Sequence, residues 1–178
     1  MIRKQIPNLV TLGNLACGCV GIAFVNSGNL WGAAIMVILA AVFDFFDGFV
    51  ARLLKVNSEL GAQLDSLADV VSFGVLPAFI AQNLFLIASV DEPWSRLFFL
   101  NGTNSPSLLV FAFALAGCYR LANFNVSTDQ TTSFKGLPIP AAGLYLSSFA
   151  LIYRFGPFNY AFVEPYVTST WAILASAI

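Results

Sequence analysis

The chain is a succession of apolar stretches, each near the ~20 residues that an α-helix needs to cross a bilayer. The first runs from about Pro7 to Val25 and stops at the Asn26-Ser27-Gly28-Asn29 turn. The second covers about Leu30 to Leu53, ahead of the polar connection from Lys55 to Glu59. A third starts near Leu60 and reaches about Ser89, long enough to project from the bilayer or to bend at Pro77. After Asp91-Glu92-Pro93 comes a looser stretch through Ser107, in which Trp94 to Leu100 is expected along the interface. A fourth span is expected from about Leu108 to Phe124, a fifth from the Gly136–Pro140 segment to about Tyr153, and a sixth from roughly Tyr160 to Ile178. The expected fold is therefore all-α, a polytopic transmembrane bundle of about six spans formed by residues 1–178 as one domain. Its last apolar run has no polar residue to mark a membrane exit, so the sequence reads as cut short.

Composition agrees with this reading and removes several functions. Of 178 residues 58% are hydrophobic and 10% charged, whereas soluble domains are about a quarter charged. A net charge of −1 with no basic run gives no support for nucleic-acid binding. Histidine is absent, so proton transfer falls to Asp, Glu, Lys, Tyr or Cys. Cys17 and Cys19 lie about 200° apart on a helix and cannot share a metal; with Cys118 they read as small packing residues. Arg3 and Lys4 precede an apolar stretch carrying Asn8, Thr11 and Asn14, which reads as a first span with a polar stripe rather than a cleaved signal. Placing the N-terminus in the cytosol puts Arg3, Lys4, Arg52, Lys55, Arg120 and Lys135 on that side and only Arg96 and Arg154 outside.

Against this apolar background stand four carboxylates, in the pattern Asp44-x2-Asp47-Gly48-x2-Ala51-Arg52-x8-Gly61-x3-Asp65-x3-Asp69. Charge at or near hydrocarbon is costly and calls for a partner. Only four basic residues precede Asp65, too few and too scattered to neutralise the cluster. A bound divalent cation does so, and carboxylates supply the hard oxygen ligands that Mg2+, Mn2+ or Ca2+ prefers. Metal held among acidic groups at a membrane surface suggests phosphate chemistry. Asp44 and Asp47 are i, i+3 on the second helix; Asp65 and Asp69 are i, i+4 on the third. A short connection makes these helices antiparallel neighbours, so the two pairs can face each other around two ions. Gly48, Ala51 and Gly61 leave room for a flat base, or equally for close helix packing. Arg52 can hold a phosphate through its planar fork.

The pattern resembles, at all eight fixed positions, that of the CDP-alcohol phosphatidyltransferases. The resemblance implies that Asp44, Asp47 and Asp65 are metal ligands, and that Asp69 is both a ligand and the catalytic base that activates the acceptor hydroxyl. Asn8, Thr11, Asp47, Gly48, Ala51, Arg52 and Gly61 would surround the CDP moiety. The segments Ile6–Leu15, Tyr119–Asn125 and Phe134–Pro140 are similar to the serine-accepting synthases of that family, over about Ile2 to Leu146. Asn123 departs from them, standing where many carry a second arginine; Arg120 is kept. This implies transfer of a phosphatidyl group from CDP-diacylglycerol to L-serine by a homodimer in the cell's inner or plasma membrane, with the active site facing the cytosol. Asn14, Arg120 and Lys135 would then bind serine, the two cations taking its carboxylate.

Simpler roles stay open for several of these residues. Asn8, Thr11 and Asn14 also suit interhelical hydrogen bonds, and Arg120 and Lys135 also suit positive-inside anchors. Glycerol 3-phosphate or an inositol phosphate is a second class of acceptor, though a dianion should want more cations than Arg52, Arg120 and Lys135 supply. A divalent-cation transporter would explain the aspartates but not Gly48, Ala51 and Arg52 at fixed spacing beside them.

Overall fold

In a computed structural model the protein is described for residues 5–56, 58–88, 99–100, 103–104, 110–126 and 137–155. These form helices α1 (Gln5–Asn26), α2 (Leu30–Leu53), α3 (Glu59–Asp69), α4 (Leu76–Ala88), α5 (Phe111–Val126) and α6 (Ile139–Phe155). One π turn, Val70–Val75, joins α3 to α4. The only strands among the described residues are Phe99–Leu100 and Thr103–Asn104, paired antiparallel.

Three of these helical runs are long and apolar enough to cross a membrane: Gln5–Asn26, Leu30–Leu53 and Glu59–Ile87. At 1.5 Å per residue the shortest, 22 residues, measures roughly 33 Å. The expected fourth and fifth spans correspond to α5 and α6, of 16 and 17 described residues. The expected sixth lies outside the described residues, as does most of the interfacial Trp94–Leu100 segment.

The two turns among the first three helices use one device. α1 ends with Gly28 at φ +77°, its N–H donating to the Val25 carbonyl and the Asn29 N–H to the Phe24 carbonyl. α2 ends the same way with Lys55 at φ +52°, bonding Arg52, while Val56 bonds Ala51. Both are Schellman motifs, which close the free carbonyls of a helix end through one left-handed residue. Each is followed by an N-cap: the Asn29 side chain accepts from Gly32 N–H, and Ser58 Oγ from Gly61 N–H. The connections are short, so α1, α2 and the α3–α4 run lie antiparallel in sequence order.

Hydrocarbon gives helices little hydrophobic reason to associate, so close packing of small residues does that work. α2 buries Gly32, Ala33, Ala34 and Ala40 toward its neighbours. A Cβ at Gly21 would run into the Leu76 side chain, and one at Gly143 would lie 2.5 Å from the Phe73 carbonyl oxygen. The main core joins Val25, Leu30, Val37, Phe73, Leu76, Ile80, Leu84 and Phe149. Outside it, α2 exposes Val42, Phe45, Phe46, Phe49 and Leu53, a surface suited to lipid.

The third run, expected either to project from the bilayer or to bend at Pro77, continues as helix through that residue. Its irregularity comes earlier, as the π turn, in which the Leu76 N–H donates to the Val71 carbonyl. Proline has no N–H to offer the carbonyl four residues before it, here that of Phe73, so the ladder adjusts on the N-terminal side.

Candidate active site

The polar stripe of α1 points inward. Asn8, Thr11 and Asn14 are all buried, Asn14 completely. Thr11 Oγ1 donates to Asp47 Oδ2 at 2.7 Å, with the Pro7 carbonyl of its own helix a second acceptor at 3.1 Å. Asn14 Nδ2 donates to Asp69 Oδ1 at 3.2 Å. Helix α1 thus reaches a carboxylate on α2 and another on the α3–α4 run.

Asp44 and Asp47 from α2 meet Asp65 from α3: one oxygen of each lies within 4.8 Å of the others. Asp69, one turn beyond Asp65, is not part of that set. Like charges this close repel by ~3 kcal/mol per pair at an effective dielectric of 20, so the triplet favours a cation. A second feature agrees. Asp65 Oδ1 is buried with no hydrogen-bond partner, an oxygen left free for a ligand such as a metal ion. An all-carboxylate donor set of this kind fits Mg2+, Mn2+ or Ca2+.

Beside the carboxylates opens a cavity of about 440 Å3, within the usual size of small-molecule sites. Of the residues expected around a nucleotide, Asn8, Thr11, Asp47, Gly48, Ala51 and Gly61 line it. The two glycines differ. A Cβ at Gly48 would meet nothing within 4 Å, whereas one at Gly61 would come 2.9 Å from Ser58 Oγ and 3.1 Å from Asn8 Oδ1. Gly48 keeps space open, and Gly61 lets α1 and the α3 cap approach. Arg52 is exposed, its Nε donating to the Gly48 carbonyl one turn back. Arg120 on α5 donates through Nη1 to the Leu137 carbonyl at 2.6 Å, tying α5 to the start of α6. Lys135 lies outside the described residues.

Several residues at the site escaped the sequence reading. Ser58 and Glu59 line the cavity. The signal for Ser58 was available, a serine N-cap before an acidic first turn. Asn125 Nδ2 donates to Ser66 Oγ at 2.8 Å, joining α5 to the helix that carries Asp65. Ser72, in the π turn, is fully buried against α1. No local pattern marks either contact, because both depend on how distant helices are set side by side.

Long apolar helices with a carboxylate-lined cavity at one end of the first three define a membrane-type helical protein with an acidic cluster that could hold a hard cation. The profile of the CDP-alcohol phosphatidyltransferase family matches residues 4–177, and the chain belongs to that family. It is 33% identical to a CDP-diacylglycerol–serine O-phosphatidyltransferase of Bacillus subtilis over 85% of this chain and 78% of that protein. It is 35% identical to an archaetidylserine synthase of Methanothermobacter thermautotrophicus over 89% of this chain. A CDP-diacylglycerol–serine O-phosphatidyltransferase of Methanocaldococcus jannaschii is 37% identical over 83% of this chain. The matches span 63% and 62% of those two archaeal proteins, so this chain covers less than two thirds of each.

Proposed function

We propose that this chain transfers the phosphatidyl group of CDP-diacylglycerol to L-serine, giving phosphatidylserine and CMP, at the cytosolic end of its first membrane helices. The observation that carries this reading is the cavity bordered by Asp47 and Asp65, which with Asp44 bring their oxygens within 4.8 Å of one another. Serine as the acceptor is supported by the relatives, whose names keep serine while the lipid part changes from diacylglycerol to archaetidyl.

Asp44, Asp47 and Asp65, with Asp69, would hold two divalent ions, Mg2+ or Mn2+. Bound there, the ions supply charge neutralisation at the pyrophosphate and stabilisation of the CMP leaving group. The remaining work belongs to the chain. Thr11 holds Asp47 in one orientation through its 2.7 Å bond. Gly48 and Ala51 form one wall of the nucleotide cavity, Asn8 and Gly61 the other, and Arg52 binds phosphate at its rim. Asn14 occupies Asp69 Oδ1, leaving the other carboxylate oxygen to take the proton of the serine hydroxyl. The serine oxygen then bonds to phosphorus, the bond from phosphorus to the CMP oxygen breaks, and CMP leaves with that electron pair. Arg120 and Lys135 hold serine's carboxylate, Arg120 anchored through the Leu137 carbonyl.

The test is CMP release from CDP-diacylglycerol by purified protein in detergent–lipid micelles, with and without Mg2+ or Mn2+. Parallel reactions contain serine, glycerol 3-phosphate or an inositol phosphate. Metal-dependent release with serine alone is expected; release with another acceptor but not serine would move the protein elsewhere in its family. The cytosolic orientation predicts that Lys55→Cys, in a background lacking Cys17, Cys19 and Cys118, resists impermeant thiol reagents in intact cells. Chemical crosslinking in membranes tests the homodimer that belongs to this reading.

A further inference from the structure

Serine hydroxyls in helices usually turn back on their own helix, bonding a carbonyl three or four residues earlier. Ser66 does this to Ala62, Ser147 to Gly143 and Ser148 to Tyr145. Ser72 does not. Fully buried in the π turn that begins directly after Asp69, it donates across the bundle to the main-chain carbonyl of Asn14 at 3.0 Å. The same Asn14 sends its side-chain Nδ2 to Asp69 Oδ1 at 3.2 Å. A carboxylate only accepts hydrogen bonds, so Nδ2 must face Asp69 and Asn14 Oδ1 must point elsewhere. That oxygen is buried without a partner, so nothing else among the described residues fixes the amide from its far side.

The packing next to this bond leaves no slack. One turn along α1 from Asn14, a Cβ on Gly18 would lie 2.7 Å from Ser72 Oγ and 3.2 Å from Ser72 Cα. The approach of the π turn to α1 is therefore set by a bare glycine on one side and a single hydroxyl bond on the other. π turns inside α-helices concentrate at functional sites, and this one starts at the residue after the candidate base.

We infer that Ser72 is a positioning residue for the transfer step: by holding the Asn14 backbone, it sets the amide that orients the Asp69 carboxylate. Ser72 touches no substrate and acts through Asn14. The inference rests on the reading of Asp69 as the group that activates the acceptor hydroxyl.

The experiment compares purified wild type, Ser72→Ala, Ser72→Thr and Gly18→Ala, alone and with Ser72→Ala, in mixed micelles. It follows kcat and KM for serine and for CDP-diacylglycerol per folded molecule, with thermal stability alongside. Loss of one hydrogen bond of this class should lower serine-dependent kcat by about 5- to 10-fold in Ser72→Ala. KM for CDP-diacylglycerol should stay within about twofold, because the cavity wall is untouched. Ser72→Thr keeps the hydroxyl but adds a methyl where the packing is tight, so a rate above that of Ser72→Ala and below wild type is expected. Gly18→Ala should show the same selective loss, and adding it to Ser72→Ala should cost little more, since both act on one contact. Wild-type kcat in Ser72→Ala, or a lowered melting temperature with unchanged kcat per folded molecule, overturns the inference. So does additivity of the two substitutions, or wild-type kcat in Gly18→Ala, the latter remaining readable if the serine variant folds poorly. A wild-type protein that releases no CMP with serine would instead overturn the proposed function.

Discussion

Helices α1 and α2 run side by side from one end of the bundle to the other, and their two ends are built from opposite chemistry. At one end Val25, Leu30, Ala33, Ala34 and Val37 pack with no polar side chain between them. At the other, Thr11 and Asn14 bond Asp47 and Asp69, and Asn8 is buried beside them. Yet the turns at both ends are the same device, a Schellman motif followed by an N-cap. What separates the ends is whether their side chains are satisfied. Asp65 Oδ1 and Asn14 Oδ1 are the two buried, unpartnered side-chain atoms among the described residues, and both lie at the polar end. Each such atom typically costs ~1–3 kcal/mol. The apolar end has no such atom among the described residues, whereas the polar end keeps two acceptors open to a ligand.

The largest effect should come from breaking that difference directly. Asp65→Asn removes one member of the 4.8 Å triplet and should lower metal-dependent CMP release by roughly 100-fold or more. Mn2+ binding, followed by electron paramagnetic resonance, should weaken in parallel, while the folded protein is no less thermostable than wild type. At the apolar end, Ile80→Ala should do the reverse. It opens a cavity in the main core and should destabilise by about 2 kcal/mol, with activity per folded molecule unchanged. Full activity in Asp65→Asn, or a catalytic defect in Ile80→Ala, would erase the distinction between the two ends.

Thr11→Ala sharpens it. The hydroxyl donates to a carboxylate, a charge-assisted bond typically worth ~1.5–3 kcal/mol, so about a tenfold or larger fall in kcat/KM is expected. Thr11→Ser should retain most of the activity.

Much of this was legible in the sequence. Leu30–Leu53 was read as a span with the bounds it has, because an apolar run between two polar turns leaves few choices. Asp44, Asp47 and Asp65 were expected together because spacing fixes which residues share a helix face. Spacing does not fix distances between helices. It could not show that Asp69 stands outside the close triplet, that Thr11 is spent on Asp47, or that Arg52 folds back on Gly48. Nor could it place the π turn, since a one-residue slip in the helix ladder at Val70–Val75 leaves no mark in the apolar pattern.

The glycines offer a smaller test. Gly48→Ala meets nothing within 4 Å, so the protein should fold normally and gain up to ~1 kcal/mol of helix stability. The added methyl projects into open space at the cavity wall, and KM for CDP-diacylglycerol should rise several-fold. Gly61→Ala should instead lower the melting temperature, because its Cβ would lie 2.9 Å from the Ser58 hydroxyl that caps α3. Equal behaviour of the two variants would mean that one role serves both glycines.

The smallest effects should come from the caps themselves, which match in geometry and differ only in location. Asn29 and Ser58 each accept from the backbone N–H three residues on, both at 2.9 Å. Replacing either by alanine removes one such bond and should cost ~1 kcal/mol of stability. Asn29 begins α2 at the apolar end, so Asn29→Ala should leave kcat and both KM values at wild-type levels. Ser58 borders the cavity, and its hydroxyl sits where Gly61 and Asn8 come together. Losing it frees the first turn of α3, which carries Glu59 at the cavity wall and leads within two turns to Asp65. Ser58→Ala should therefore raise KM for CDP-diacylglycerol by about two- to fivefold at the same stability loss, an energy of under ~1 kcal/mol. Steady-state kinetics and thermal melts on the pair decide the matter. If both variants lose stability and neither changes KM, the turn beyond Lys55 is scaffold like the turn at Gly28, and the functional end of the bundle begins only at Gly61.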